Sequence, residues 1–285
     1  MRYRLRPQFI GFMALSFLQV DAFANEPFTG NPAAVFVLDE YPDDYFMSCV
    51  AREMNLSETA FLVQARPDVY RLRWFTPTTE VDLCGHATLA AAHALFETGA
   101  VAGSTLHFET KSGQLAVSRY SDGSLTMDFP SEEPTERPRP ADLETMLGGP
   151  VAWYGENRMD AFVQLEESGW VRSLDPDLDA ISRLPVRGLI VTAAGDESGV
   201  DFISRYFGPR FGVPEDPVTG SAHCALGPFW HKRLGRPDLV GYQASARGGT
   251  VRVSHRGDRV LLTGHAVTVV RGDLVVDPAL FTSPG

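Results

Sequence analysis

The chain has 285 residues and a net charge of −11, enough length for roughly two domains. Its acidity speaks against a nucleic-acid partner, which needs clustered Lys and Arg. Its only lysines, Lys111 and Lys232, sit in no setting that suggests a Schiff base to a pyridoxal cofactor. Three widely spaced cysteines, Cys49, Cys84 and Cys224, supply neither a disulfide framework nor a zinc spacing. A reducing, cytoplasmic location is therefore expected.

Arg2, Arg4 and Arg6 precede the apolar run 9–20 and imitate a signal peptide, but no small-residue cleavage site follows. No stretch reaches the roughly 18–20 apolar residues of a membrane span. Residues 1–16 read as an N-terminal extension and 17–130 as an N-terminal lobe. Strands are predicted over 17–23 and 33–38, around a turn from Pro27 to Pro32 in which Gly30 and Asn31 tolerate left-handed backbone. A helix over 43–54 puts Phe46, Cys49, Val50 and Met54 on one face. Asn55-Leu56-Ser57-Glu58 then turns into a strand over 59–63, and another strand covers 69–75. A helix over 86–97 is stopped by Gly99. A short antiparallel meander occupies 105–110, 113–119 and 124–129.

Residues 131–150 read as a proline-punctuated linker, with Pro134, Pro138, Pro140 and Pro150. The C-terminal lobe, 151–285, is expected to hold strands near 160–165 and 188–193, a helix over 220–234 kinked at Pro228, and strands over 249–255 and 259–263. The last strands, about 266–282, are expected to cross back and complete the N-terminal lobe.

One site is written twice. Leu83-Cys84-Gly85-His86-Ala87-Thr88 and Val218-Thr219-Gly220-Ser221-Ala222-His223 each place a glycine and a polar residue where a loop becomes a helix. Gly85 and Gly220 differ by 135, and Gly113, Val117, Ser118 and Leu125 differ by 136 from Gly249, Val253, Ser254 and Leu261. A near-constant offset over half the chain argues for internal duplication into two similar lobes. Two helix N-termini facing each other would offer an anion the backbone N–H groups of Gly85, His86, Gly220 and Ser221.

Acid–base candidates cluster around these motifs. Glu58 is flanked by Leu56, Ala60, Phe61 and Leu62, and apolar surroundings disfavour a charged carboxylate, as a general acid/base requires. His86 opens a helix whose positive end favours neutral imidazole. Asp216 and Thr219 precede the second helix and could instead be simple caps. His93, His223 and His231 read as structural. No histidine pair has a third ligand in the sequence, so no metal site is expected.

The segments Val20-Asp21-Ala22-Phe23, Gly30-Asn31-Pro32-Ala33-Ala34-Val35, Asn55-Leu56-Ser57-Glu58-Thr59-Ala60-Phe61, Leu83 to Thr88 and Glu215 to Ala222 resemble, in order, the phenazine-biosynthesis isomerase-like (PhzF) family. The resemblance covers about 17–282. It implies an α+β fold similar to diaminopimelate epimerase: two pseudo-symmetric lobes, each a curled, mostly antiparallel sheet or half-barrel around a central helix. It implies a cofactor-independent isomerase in which Glu58 transfers the proton and His86, Asp216 and Ser221 assist. The prototype reaction moves a double bond in a dihydro-hydroxyanthranilate ring. Asn31, Ser57, Gly85, Thr219 and Gly220 would line the pocket for a small anionic substrate, with no organic cofactor. The resemblance is compatible with a homodimer.

Two other readings stay open. A two-thiol epimerase or racemase would use one cysteine per lobe, but only Cys84 stands in a suitable place, since Cys224 falls a turn into its helix. A non-catalytic small-molecule-binding protein of the same fold is the other.

Overall fold

A computed structural model describes residues 14–276. The first half of the chain forms β1 (Leu15–Ala22), β2 (Asn31–Leu38), α1 (Asp44–Met54), β3 (Glu58–Arg66), β4 (Val69–Phe75), β5 (Glu80–Val81), α2 (Gly85–Glu97), β6 (Thr105–Thr110), β7 (Gly113–Arg119) and β8 (Leu125–Pro130). There follow β9 (Thr135–Glu136), α3 (Leu143–Leu147), β10 (Val151–Glu156), β11 (Ala161–Leu165), α4 (Ser168–Arg172), α5 (Leu178–Ser182), β12 (Leu189–Ala194), β13 (Phe202–Gly208) and β14 (Val213–Asp216). The chain ends in α6 (Gly220–Leu234), β15 (Asp238–Gln243), β16 (Gly249–Arg256), β17 (Arg259–Gly264) and β18 (Ala266–Leu274).

The strands join in one sheet whose order is the same from either end. From the outside inward it runs β18, β1, β2, β3, β4, β6, β7, β8. From the other edge it runs β9, β10, β11, β12, β13, β15, β16, β17. The halves meet where β8 pairs antiparallel with β17, Leu262 opposite Met127. Most pairs are antiparallel. The parallel ones, β2–β3 and β4–β6, recur at the mirrored positions β11–β12 and β13–β15. The strand that leaves each half crosses to the other: β9 pairs with β10, and β18 with β1.

Each half wraps a central helix. The apolar residues of α2 are buried all round, including Leu89, Ala90, Ala91 and Leu95, as a helix without a polar face must be. α6 is likewise buried through Trp230 and continues past Pro228. One core unites both helices with the inner sheet faces, with Phe108, Val117 and Met127 on one side and Phe202, Val253 and Leu262 on the other. Two smaller cores cover the outer faces. α1 packs Phe46, Met47 and Val50 on Phe36 and Phe61, while α3, α4 and α5 pack Leu143, Val171 and Ile181 on Val163 and Val191.

Several boundaries shift from those the sequence suggests. β1 starts at Leu15, so residues 15 and 16 are sheet rather than extension, and residues 1–13 and 277–285 lie outside the described residues. The segment 131–150 is built in: β9 pairs with β10, and α3 buries Leu143, Met146 and Leu147. Its prolines interrupt long elements without preventing short ones. β10, β13 and β15 carry weak alternation and are visible only through their partners. Among the described residues, no helix is long and apolar enough to cross a membrane.

Candidate active site

Strand register brings the first half of the site together. β2 and β3 run parallel with Ala33 opposite Glu58, so Asn31 and Glu58, the first residues of their strands, lie at one sheet end. The turn before Asn31 needs glycine: Gly30 has φ +67°, and a Cβ there would lie 2.2 Å from the carbonyl oxygen of Ala22. From the other half, Arg247 donates to the carbonyls of Gly30 (2.9 Å) and Thr29 (3.1 Å) and pairs with Asp21 at 2.8 Å.

α2 and α6 abut by their N-termini. A Cβ built on Gly85 would lie 3.4 Å from Cα of Gly220, and one on Gly220 the same distance from Cα of Gly85. Neither helix is capped by a side chain at its N-cap residue, Cys84 or Thr219. The first-turn N–H groups therefore lack the partner a cap would give.

His86, in the first turn of α2, is the centre of the cluster. Its Nε2 lies 3.0 Å from Oε2 of Glu58, the ring being 4% exposed and the carboxylate 16%. Neither atom has any other hydrogen-bond partner within the protein, so the paired atoms have room for a further partner. On the other side of the ring, Nδ1 is 3.1 Å from Nδ2 of Asn31. That amide nitrogen also donates to Oδ1 of Asp216 at 2.8 Å and to the carbonyl of Val218 at 3.0 Å. Two acceptors fix its orientation, because a flipped amide would set oxygen against oxygen. With its two hydrogens directed at Asp216 and Val218, that nitrogen offers no acceptor to Nδ1, which disfavours the tautomer protonated only at Nδ1. Neutral or charged, His86 carries a proton on Nε2, between the ring and Glu58.

Burial of the ring opposes a charged His86, but negative charge at Cys84 and Glu58 lifts its pKa well above the ordinary histidine value. The Cys84 contribution requires a thiolate, and burial pushes that thiol up to about 11, so near neutral pH Glu58 is the effective partner. The helix end favours the neutral ring, as the sequence suggests, but a full charge at 3.0 Å outweighs it.

Asp216 ends β14 and is held from several sides. Thr219 donates its hydroxyl to Oδ2 at 2.5 Å, and Nε2 of Gln243 donates to the Asp216 carbonyl at 2.7 Å. Gln243 also accepts the Thr219 N–H at 2.9 Å. Thr219 therefore serves Asp216 rather than capping α6. Burial raises the Asp216 carboxyl above its usual range; His86 opposes the rise and Glu58 adds to it.

Ser221 sits in the first turn of α6 but bonds elsewhere, accepting from Nη2 of Arg187 at 2.8 Å. Ser57 is carried beside Glu58 by the chain and enters none of these bonds. The structure therefore joins Asn31, Glu58, His86, Asp216 and Thr219 in one network, with Gly85 and Gly220 as its floor. Gln243, Arg187 and Asp160 are additions that sequence reasoning missed. Each lies far along the chain from the motifs, and only strand pairing brings it in.

The expectation of no metal site rested on histidine spacing. Among the described residues, Glu58, Cys84 and His86 each offer a ligand atom within 4.8 Å of the others, a donor set that could hold a borderline cation such as zinc. Spacing could not reveal it, because Glu58 comes from a different strand.

Comparison with known proteins identifies the family. The model of the phenazine biosynthesis-like protein family matches residues 20–272. An uncharacterized isomerase of Halalkalibacterium halodurans is 48% identical, over 90% of this chain and 97% of that one. The crystal structure of a PhzF-family protein from Enterococcus faecalis superposes with a TM-score of 0.88 at 44% identity, covering 92% of this chain and 99% of the other. A predicted epimerase from Pseudomonas aeruginosa, 23% identical with a TM-score of 0.70 over 92% of this chain and 100% of its own, shares the fold. Two lobes, uncapped helix ends between them and a family match over nearly the whole chain agree: this protein belongs to the phenazine biosynthesis-like (PhzF) family of isomerases.

Proposed function

We propose that the protein moves a proton between two carbons of a small carboxylate-bearing metabolite, with Glu58 as the general acid/base. The observation that carries this reading is the Glu58–His86 pair, 3.0 Å apart at the start of α2 and with neither atom otherwise hydrogen-bonded. Glu58 as carboxylate takes a proton from a substrate carbon, the electron pair shifts through the adjacent double bond, and the resulting acid, its proton exchanged with solvent, returns a proton to the far carbon. Nothing is oxidised or reduced. His86 steadies the carboxylate through its Nε2 proton, and the step calls on no group beyond these side chains.

Asp216 and Asn31 hold His86 from behind, while the uncapped ends of α2 and α6 receive the substrate's negative group. Such contacts contribute about 0.3–1 kcal/mol each at exposed sites and more when partly buried. The two-thiol alternative finds no support in the geometry. The position equivalent to Cys84 in the second half is Thr219, a hydroxyl that donates to Asp216, and the Cys84 thiol is held protonated by burial, its pKa pushed up to about 11.

The test is a screen of ring and chain carboxylates in deuterated water, followed by NMR. The parent should introduce deuterium at one carbon of a turned-over compound, and Glu58→Gln should not. Equal deuterium uptake by both proteins would remove Glu58 from the chemistry.

A further inference from the structure

We propose that Arg187 is a positioning residue that commits the Ser221 hydroxyl to hydrogen-bond donation, making this end of the cleft a receiver for a carboxylate or enolate oxygen. Its use in catalysis rests on the function proposed above; its existence does not.

Nη2 of Arg187 donates to Oγ of Ser221 at 2.8 Å. A guanidinium has donors only and keeps its charge, so Oγ is the acceptor and the serine's own hydrogen must point elsewhere. A helical serine commonly donates to the carbonyl four residues back. Here that carbonyl, of Pro217, receives the hydroxyl of Ser245 at 2.8 Å. Among the described residues, no group accepts the Ser221 hydrogen. The hydroxyl is therefore a donor without a protein acceptor, polarised by a cation.

Arg187 is built to stay in place. Its Nε and Nη2 fork onto Asp160 at 3.0 and 2.6 Å. Asp160 is fully buried and also accepts from the Tyr206 hydroxyl at 3.1 Å. The backbone N–H of Arg187 is tied to the Met159 carbonyl at 2.8 Å, and that of Asp160 to Asn157 at 2.7 Å. Nη1 keeps two further N–H groups with no acceptor among the described residues, on a side chain about a third exposed. Such a fork, fixed on one side and open on the other, suits a carboxylate. The charged and titratable groups around Ser221 include Arg187, Asp160 and Tyr206, with Asp216 acting on Tyr206 from β14 and Glu132 and Arg259 acting one turn further along α6, at Cys224.

The test replaces the hydroxyl by a titratable group. Ser221→Cys is made with Arg187, with Arg187→Gln and with Arg187→Lys, and alkylation by iodoacetamide at position 221 is followed against pH by peptide mass spectrometry. With Arg187 present, the reactive thiolate should appear below the ordinary cysteine midpoint of about 8.5. Arg187→Gln should raise that midpoint by about one pH unit or more, as loss of a charge-assisted bond requires, and Arg187→Lys should restore part of the difference. If Arg187→Gln does not fold once Asp160 is unpaired, Arg187→Lys alone should still lie above the parent, because it cannot fork. A midpoint independent of residue 187 overturns the proposal. Binding of 2-aminobenzoate, read by its fluorescence, supplies the second readout. Ser221→Ala and Arg187→Lys should weaken it, and the double variant should be no worse than the stronger single one. Failure of the parent to bind any aromatic carboxylate would count against the proposed substrate class, while the thiol midpoint still decides the role of Arg187.

Discussion

The two helix ends that meet at Gly85 and Gly220 share a backbone and differ in chemistry. Each begins with an extended N-cap residue, without a side-chain cap, at a glycine in contact with its counterpart. Each carries a histidine in its first turn or so, fully or almost fully buried. Their proton affinities diverge. His86 has Glu58 beside it and is lifted well above the ordinary value. His223 has only the Thr219 carbonyl, 2.8 Å from Nδ1, and burial lowers it to about 4. Burial is common to both, so the neighbouring carboxylate is what sets the histidines apart. At the N-terminal end the Glu58–His86 pair has no other partner, whereas Asp216, Thr219 and Gln243 at the C-terminal end are hydrogen-bonded to one another.

The sharpest way to break this contrast is to neutralise one carboxylate on each side. Glu58→Gln should lower turnover by about 10²–10⁴-fold, the usual loss for a positioned acid/base, without lowering the melting temperature. Asp216→Asn keeps the shape and an acceptor for Asn31, and should cost clearly less. Equal losses would make the two ends chemically equivalent. The next largest effect concerns His223. Its pKa is depressed in the fold, so its contribution to stability is complete above about 6.5 and is lost as pH falls toward about 4. Denaturant melts across that window should lose about 3 kcal/mol of stability, and His223→Leu should flatten that slope. An unchanged slope would place the acid sensitivity elsewhere.

Gln243→Leu should destabilise by about 1–3 kcal/mol, because it strands the Asp216 carbonyl and the Thr219 N–H in a buried site. Urea midpoints measure this directly, and no change would show that these bonds contribute little. The smallest expected effect is Cys84→Ala, whose activity should stay within about threefold of the parent, far from an acid/base loss. A loss as large as that of Glu58→Gln would transfer the chemistry to the thiol.

Much of this was legible in the chain. The helix starts at Gly85 and Gly220, the strands of the N-terminal half and the crossing back of the last strand all follow from alternation, glycine placement and the offset of 135. That offset and the mirrored strand order are one symmetry seen twice. Local patterns carry such information because backbone geometry depends on neighbours in sequence.

Local patterns along the chain specify the two-lobed plan and point to Glu58, His86, Asp216 and Ser221. What each of these side chains touches follows from how the strands and helices pack. Asn31 reaches Asp216 across 185 positions and Arg187 reaches Ser221 across 34, and nothing in the spacing of such residues records the contact. The tautomer of His86, the donor role of Ser221 and the approach of Glu58 to His86 depend on distances of about 3 Å across different elements, as hydrogen bonds do. Pairing of strands far apart in sequence sets those distances.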